Sequence, residues 1–221
     1  MNLLKKVVLL GFGAAAACWA GPIAITNASF ESPAQSLGGS TNVATGWTLT
    51  GASGVFFPNT GSSNGTNNFA SVPDGNQILL LGGTAGQGEA NQSLGISLAA
   101  NTTYTLTYFV GQSYLVPLSS YSVALRLGST TLVSDSAGNP GAGLFALRTI
   151  SFTTGGNPAA GTLNIDILAN GRTVTGGVAS ASFDAFSLST PGGVPEPASI
   201  VLLAGGLLGV VLGRKRLLRR V

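Results

Sequence analysis

The chain has 221 residues, with ten Lys and Arg, seven Asp and Glu, and no His. Its calculated isoelectric point near 9.4 misleads, because seven of the ten bases (Lys5, Lys6, Arg214, Lys215, Arg216, Arg219 and Arg220) sit at the two ends. Between Gly21 and Gly193 the bases are Arg126, Arg148 and Arg172 against Glu31, Asp74, Glu89, Asp135, Asp166 and Asp184, a net charge of −3 that leaves no basic patch for phosphates and excludes nucleic acid as a partner.

The chain opens with the pattern of an export signal: Lys5 and Lys6, an apolar run from Val7 to Ala17, and a small residue at Ala20 where a signal peptidase would cut. Residues 1–20 are therefore predicted to be a signal peptide, helical while it lasts. Cleavage removes Cys18, the only cysteine, so the mature chain has neither disulfides nor thiol chemistry. A lipoprotein reading of Cys18 fails on Ala15, where Leu is expected, and on Trp19, which follows the cysteine.

Residues 21–190 read as one all-β domain, since the apolar residues recur every second position and turn residues interrupt them. Strands are predicted from Ile23 to Phe30, Gln77 to Leu81, Thr103 to Val110, Tyr121 to Leu127, Leu144 to Phe152, Leu163 to Ile167 and Ser182 to Leu188. In the third of these Tyr104, Leu106, Tyr108 and Val110 share one face and Thr103, Thr105 and Thr107 the other, which marks a half-buried antiparallel strand. Leu125 and Leu127 alternate with Arg126, and Ile165 and Ile167 with Asp166, in the same way. About eight such strands imply a jelly-roll-like antiparallel β-sandwich. The segment from Glu31 to Ser71, rich in Gly and Asn, reads as a long loop region instead. Its aromatics Trp47, Phe56 and Phe57, together with Tyr114 in the later segment Tyr114-Leu115-Val116-Pro117, are candidates for stacking on sugar rings; the competing reading is that the loop aromatics cap the sandwich.

The tail, residues 191–221, starts with Val194-Pro195-Glu196-Pro197. Each proline biases the residue before it toward extended backbone, so a helix begins at or after Pro197. The 16 residues from Ala198 to Gly213 carry no charge and would span roughly 24 Å as a transmembrane helix, a little short of a bilayer core but extended by snorkelling at Arg214 and Lys215. Arg214, Lys215, Arg216, Arg219 and Arg220 place that end in the cytoplasm and the domain outside the inner membrane. This arrangement of signature, apolar run and basic cluster resembles the PEP-CTERM sorting tail of Gram-negative bacteria. The resemblance implies cutting near Pro195-Glu196-Pro197 by an exosortase-type enzyme and delivery to the cell envelope or extracellular matrix. A plain C-terminal anchor would explain the helix and the charges equally well.

A second resemblance rests on Ile25-Thr26-Asn27-Ala28-Ser29-Phe30-Glu31, then Gly46-Trp47, then Phe183-Asp184-Ala185-Phe186-Ser187-Leu188 at the end of the domain. Their order is similar to galactose-binding-like jelly rolls, among them many bacterial carbohydrate-binding modules. The resemblance implies a structural calcium on Glu31 and Asp184, with Ala185 departing from the pattern where a second acid or Asn is common. No other cofactor is implied.

Without His or a mature Cys, Ser-His-Asp and Cys-His catalysis are excluded. The domain is accordingly expected to be non-catalytic, an exported binding or structural protein directed toward exopolysaccharide. The alternatives are a carbohydrate-active enzyme using two of the six acids, and a purely structural matrix protein.

Overall fold

The computed structural model describes residues 21–172 and 177–190. The predicted signal helix, the membrane helix over 198–213 and the sorting residues Val194 to Pro197 and Arg214 to Arg216 lie outside the described residues. Gly21–Pro191 forms a compact unit.

Among the described residues twelve strands build two antiparallel sheets: β1 (Pro22–Ile23), β2 (Ser40–Thr41), β3 (Thr48–Gly51), β4 (Ser53–Phe56), β5 (Ile78–Gly82), β6 (Gly88–Ser93), β7 (Thr103–Gly111), β8 (Tyr121–Leu127), β9 (Thr130–Asp135), β10 (Phe145–Thr153), β11 (Leu163–Ala169) and β12 (Ser180–Ser189). The seven-stranded sheet runs β10-β7-β12-β5-β4-β2, with β1 beside β12; the five-stranded sheet runs β3-β6-β11-β8-β9. This is the expected all-β, jelly-roll-like sandwich. Period-two alternation explains it: Tyr104, Leu106, Tyr108 and Val110 of β7 and Leu163, Ile165 and Ile167 of β11 all point inward and are buried, while their neighbours face outward.

Two segments differ from expectation. Ile23 to Phe30 is not a strand beyond β1: residues 26–29 form a turn, and Asn27 and Phe30 have positive φ. The cause is the Asn27 side chain, whose amide donates to the Ser32 carbonyl at 2.7 Å and whose oxygen accepts from Ser32 N–H at 3.0 Å, so it takes the place of a ladder partner. Thr26 is bracketed by Gln92, which accepts from its N–H at 2.9 Å and donates to its carbonyl at 2.9 Å. The segment thus crosses the end of the sandwich as a plug. Conversely, the stretch predicted as loop from Glu31 to Ser71 contributes β2, β3 and β4; these are short and their pattern is broken by Gly51 and Gly54. The strands β6 and β9 also emerge only in the structure.

Candidate functional site

Glu31, Asp74 and Asp184 lie near one another where the plug, the loop before β5 and the bulge of β12 come together. Asp184 lies just before a register shift in β12, and Ala185 has a φ of 49°. Its side chain is fully buried; one oxygen accepts from Asp74 N–H at 3.0 Å and the other from Ala185 N–H at 2.7 Å. Glu31 Oε1 accepts from the N–H groups of Asn76 and Gln77 at 2.9 and 2.7 Å, and Ser29 Oγ donates to Asp74 at 2.5 Å. Burial pushes the Asp184 carboxyl up to about 7; its two amide bonds oppose this, and the charges of Asp74 and Glu31 add to it. The structure therefore brings Glu31 and Asp184 together, 153 positions apart in sequence, and adds Asp74. Gly75 is obligatory here: its φ is 60°, and a Cβ would run into the Glu31 carboxylate. Such hard oxygen donors suit a calcium-type cation in chemistry. Among the described residues, however, no three acidic side chains converge closely enough to cage an ion alone, so carbonyl oxygens would have to complete any shell.

The second acidic assembly lies on the outward face of the five-stranded sheet, in a groove of about 290 Å³. Its floor is Ala124 and Leu168, small or aliphatic, and its walls carry Glu89, Asp166, Arg126, Gln87, Ser122 and Ser134. Register explains the grouping. Asp166 of β11 is opposite Asn91 of β6 and Ala124 of β8, whereas Glu89 is opposite Leu168 and Thr50. Glu89 and Asp166 are thus diagonal neighbours, with Cβ atoms about 7 Å apart. Their settings differ. Arg126 Nη1 donates to Asp166 Oδ2 at 2.5 Å and Asn91 Nδ2 to Asp166 Oδ1 at 2.6 Å, while Glu89 accepts only a long 3.5 Å bond from Thr50 Oγ1. Ala124 and the serines leave room above the sheet that larger side chains would fill.

A third polar cluster closes the gap between the sheet edges β9 and β10. Arg148 grips Asp135 with both Nε and Nη2, at 2.7 and 2.8 Å, and the Tyr108 hydroxyl donates to the same carboxylate at 2.8 Å. The bidentate bond to Arg148 holds Asp135 at about 2, partly opposed by burial; burial pushes Tyr108 up. Gly138 N–H donates to the Tyr121 hydroxyl at 2.7 Å, seating the loop that follows β9. This clasp is fully packed and joins the two layers.

The aromatic candidates do not form a sugar platform. Trp47 is buried against Phe30 and Phe186, with ring centroids at 5.1 and 5.7 Å, and its Nε1 donates to the Thr26 carbonyl at 3.0 Å. It caps the core, the competing reading of the sequence. Phe56 and Phe57 are half-buried; Phe56 pairs with Ile78, and Phe57 is tied to Gly38 and Gly39 through backbone bonds. Tyr114 is half-buried against Gly143. None of the four lines the groove beside Glu89. Arg126 and Asp166 were legible as outward residues of predicted strands, but Glu89 was not, because β6 lacks an apolar run: its inward residues are Gly88, Ala90 and Gln92.

Comparison with known proteins bears on both halves of the chain. A family model described as HpiC1 cyclase matches residues 21–189, and one for the PEP-CTERM protein-sorting motif matches residues 193–216. The tail resemblance is thereby established; the motif marks an exported, envelope-associated protein processed by an exosortase-type enzyme. Among solved structures, a Stig cyclase from Fischerella sp. TAU in complex with (3Z)-3-(1-methyl-2-pyrrolidinylidene)-3H-indole is 23% identical, with a TM-score of 0.65 over 78% of this chain and 98% of its own. A second structure of a cyclase from Fischerella sp. TAU is 24% identical, with a TM-score of 0.64 and the same coverage. The shared sandwich accounts for 98% of each of those solved chains. A family 16 carbohydrate-binding module aligns at a TM-score of 0.39 and 15% identity over 55% of this chain and 83% of its own, too loosely to carry function. No curated protein matches the sequence. The expectation of a non-catalytic domain is overturned by the family match, which sets the sandwich among cyclases. That expectation rested on the absence of His and Cys, and carboxyl chemistry needs neither.

Proposed function

Because the chain belongs to the HpiC1-like cyclase family, we propose that it is an exported enzyme that carries out redox-neutral ring closure on a sugar unit of envelope polysaccharide, bound in the groove over β6, β11 and β8. The observation that carries this reading is the pair of carboxyl groups on one sheet face in unlike hydrogen-bonding settings, since two-carboxyl chemistry gives each group a different role. Asp166 is held by Arg126 and Asn91, whereas Glu89 accepts a long bond from Thr50 Oγ1 and lines the groove.

The step balances without a co-reactant. The Glu89 carboxyl group gives a proton to the glycosidic oxygen as the bond from that oxygen to the anomeric carbon breaks. A hydroxyl of the same sugar closes onto the anomeric carbon, and its proton returns to the Glu89 carboxylate. Asp166 faces the positive charge that develops on the ring in between. The Fischerella cyclases are seen with indole compounds, whereas the groove here has no aromatic side chain to stack on an indole. Polar lining and export to the envelope both favour a saccharide instead.

The test is to incubate the 21–191 unit with exopolysaccharides and read the released ends by mass spectrometry. The expected product is an anhydro end, lighter by one water than a hydrolysis product, and Glu89→Gln is expected to cut its rate by at least about 100-fold. Equal rates in the variant, or no anhydro product from any polymer, would refute the proposal.

A structural role for calcium is a separate proposal, supported by the buried Asp184 carboxyl beside Glu31 and Asp74. Glu31 and Asp184 would hold the ion, and its chemistry there is charge neutralisation.

A further inference from the structure

We propose that the polysaccharide engaged beside Glu89 continues into a second groove, across the connection between β5 and β6, where a neutral sugar unit is held against Phe56. This deepens the reading of the first groove as a substrate site and rests on it. The second groove has a volume of about 320 Å³ and is built on β4, β5 and the turn from β3. Strand alternation sets its floor. Val55, Leu79 and Leu81 turn inward and are buried, which leaves Gly54, Phe56 and Leu80 on the outward side. Gly54 lies opposite Leu80 and, having no side chain, opens a gap beside Phe56. Ser40, Asn42 and Thr84, all exposed, supply a polar rim.

No Asp, Glu, Lys or Arg is among the described lining residues. A charged unit would therefore leave water without finding a counter-charge. A neutral pyranose fits, because its apolar face can stack on Phe56 while its hydroxyls meet the amide and hydroxyl groups of the rim. Two flanks join this groove to the first. On one, Thr84 and Ala85 line the second groove and Gln87 the first, at most about 7 Å beyond Ala85 along the chain. On the other, Gly51 lines the second groove and its neighbour Thr50 donates to Glu89 in the first. Gly86, at the crest between Ala85 and Gln87, has a φ of 95°, and a Cβ there would stand in open space, so nothing but backbone bars a chain that crosses. Ala52 N–H donates to the Gln87 carbonyl and Gly82 N–H to the Ala52 carbonyl, each at 2.8 Å, so one braced backbone fixes the spacing of the two grooves. Two sites at fixed spacing strengthen the hold on one polymer, and binding remote from the reacting bond can be used to speed its cleavage.

The probes are cello-, laminari- and manno-oligosaccharides of two and six units, titrated into the 21–191 unit, which corresponds to 98% of each Fischerella chain, with NMR shifts of the β4 and β6 amides as the readout. At least one hexasaccharide is expected to move amides of both strands and to bind about tenfold more tightly than its disaccharide. Phe56→Ala should bring the hexasaccharide down to the affinity of the disaccharide. Asn42→Ala, a change at the exposed rim that spares the core, should weaken the hexasaccharide several-fold and leave the β6 shifts in place. Equal affinities for the two lengths, β4 amides unmoved by every hexasaccharide, or a length advantage that survives both variants would overturn the second site. Absence of binding by every oligosaccharide would overturn it as well. The ring-closing reading has its own test: an anhydro product formed without β4 shifts sinks the second site alone, and β4 shifts with a length advantage but no anhydro product sink ring closure alone.

Discussion

Replacing Asp135 by Ala removes the acceptor at the centre of the clasp between β9 and β10, and the consequences can be worked through group by group. The Tyr108 hydroxyl, on a fully buried residue, loses the carboxylate to which it donates, and a buried donor left unsatisfied costs about 1–3 kcal/mol. The Arg148 guanidinium, 30% exposed, loses both hydrogen bonds to a carboxylate that is 9% exposed, which belongs at the low end of the roughly 3–5 kcal/mol for breaking a buried pair. These penalties overlap because water can reach Arg148, so about 3–4 kcal/mol is expected, a large share of the stability of an ordinary domain. Tyr108→Phe keeps the ion pair and should cost about 1 kcal/mol. In the double variant the orphaned hydroxyl is gone, so the loss should be smaller than the sum of the single losses by about 1 kcal/mol. Urea unfolding of the 21–191 unit measures all three. A loss under 1 kcal/mol for Asp135→Ala, or strict additivity in the double variant, would refute the view of the clasp as a coupled network.

The same carboxyl gives a pH dependence. Asp135 sits at about 2 in the folded chain against an ordinary 3.8, so its stabilisation is complete above about pH 4 and lost as pH falls from 4 to 2, a change of about 2 kcal/mol that an acid titration of unfolding free energy should register and Asp135→Asn should abolish. Trp47→Ala is expected to cost about 3–5 kcal/mol of stability, read as a lower urea midpoint, because the indole fills the core beside Phe30 and Phe186 and bonds to Thr26. Gly88→Ala should unfold the unit or lower its melting temperature sharply, since the added Cβ would drive into the Ala52 carbonyl, which is backbone and cannot move aside. Saturating calcium should raise the melting temperature relative to chelator, and Glu31→Gln should abolish that rise; identical curves with calcium and chelator would dismiss the ion.

The sequence by itself determined the elements whose information is local. Strict alternation in Thr103 to Val110 and in Leu163 to Ile167 specified strands and their buried faces, because a period of two admits one inward set. The sorting tail was equally legible, as its proline signature, apolar run and basic cluster are contiguous. Tertiary structure decided what depends on partners distant in the chain. Asn27 turned an apparent first strand into a plug by bonding to Ser32, and Gln92 fixed that plug from 66 residues away. The short strands β2, β3 and β4 carry too few residues to show a period, and exist because β6 offers a ladder to β3, β5 to β4 and β4 in turn to β2. Glu89 and Asp166 became neighbours through strand register, which is set by the whole sheet, and Glu31, Asp74 and Asp184 through loop backbone bonds to residues distant in the chain; neither leaves a mark on the residues around each acid.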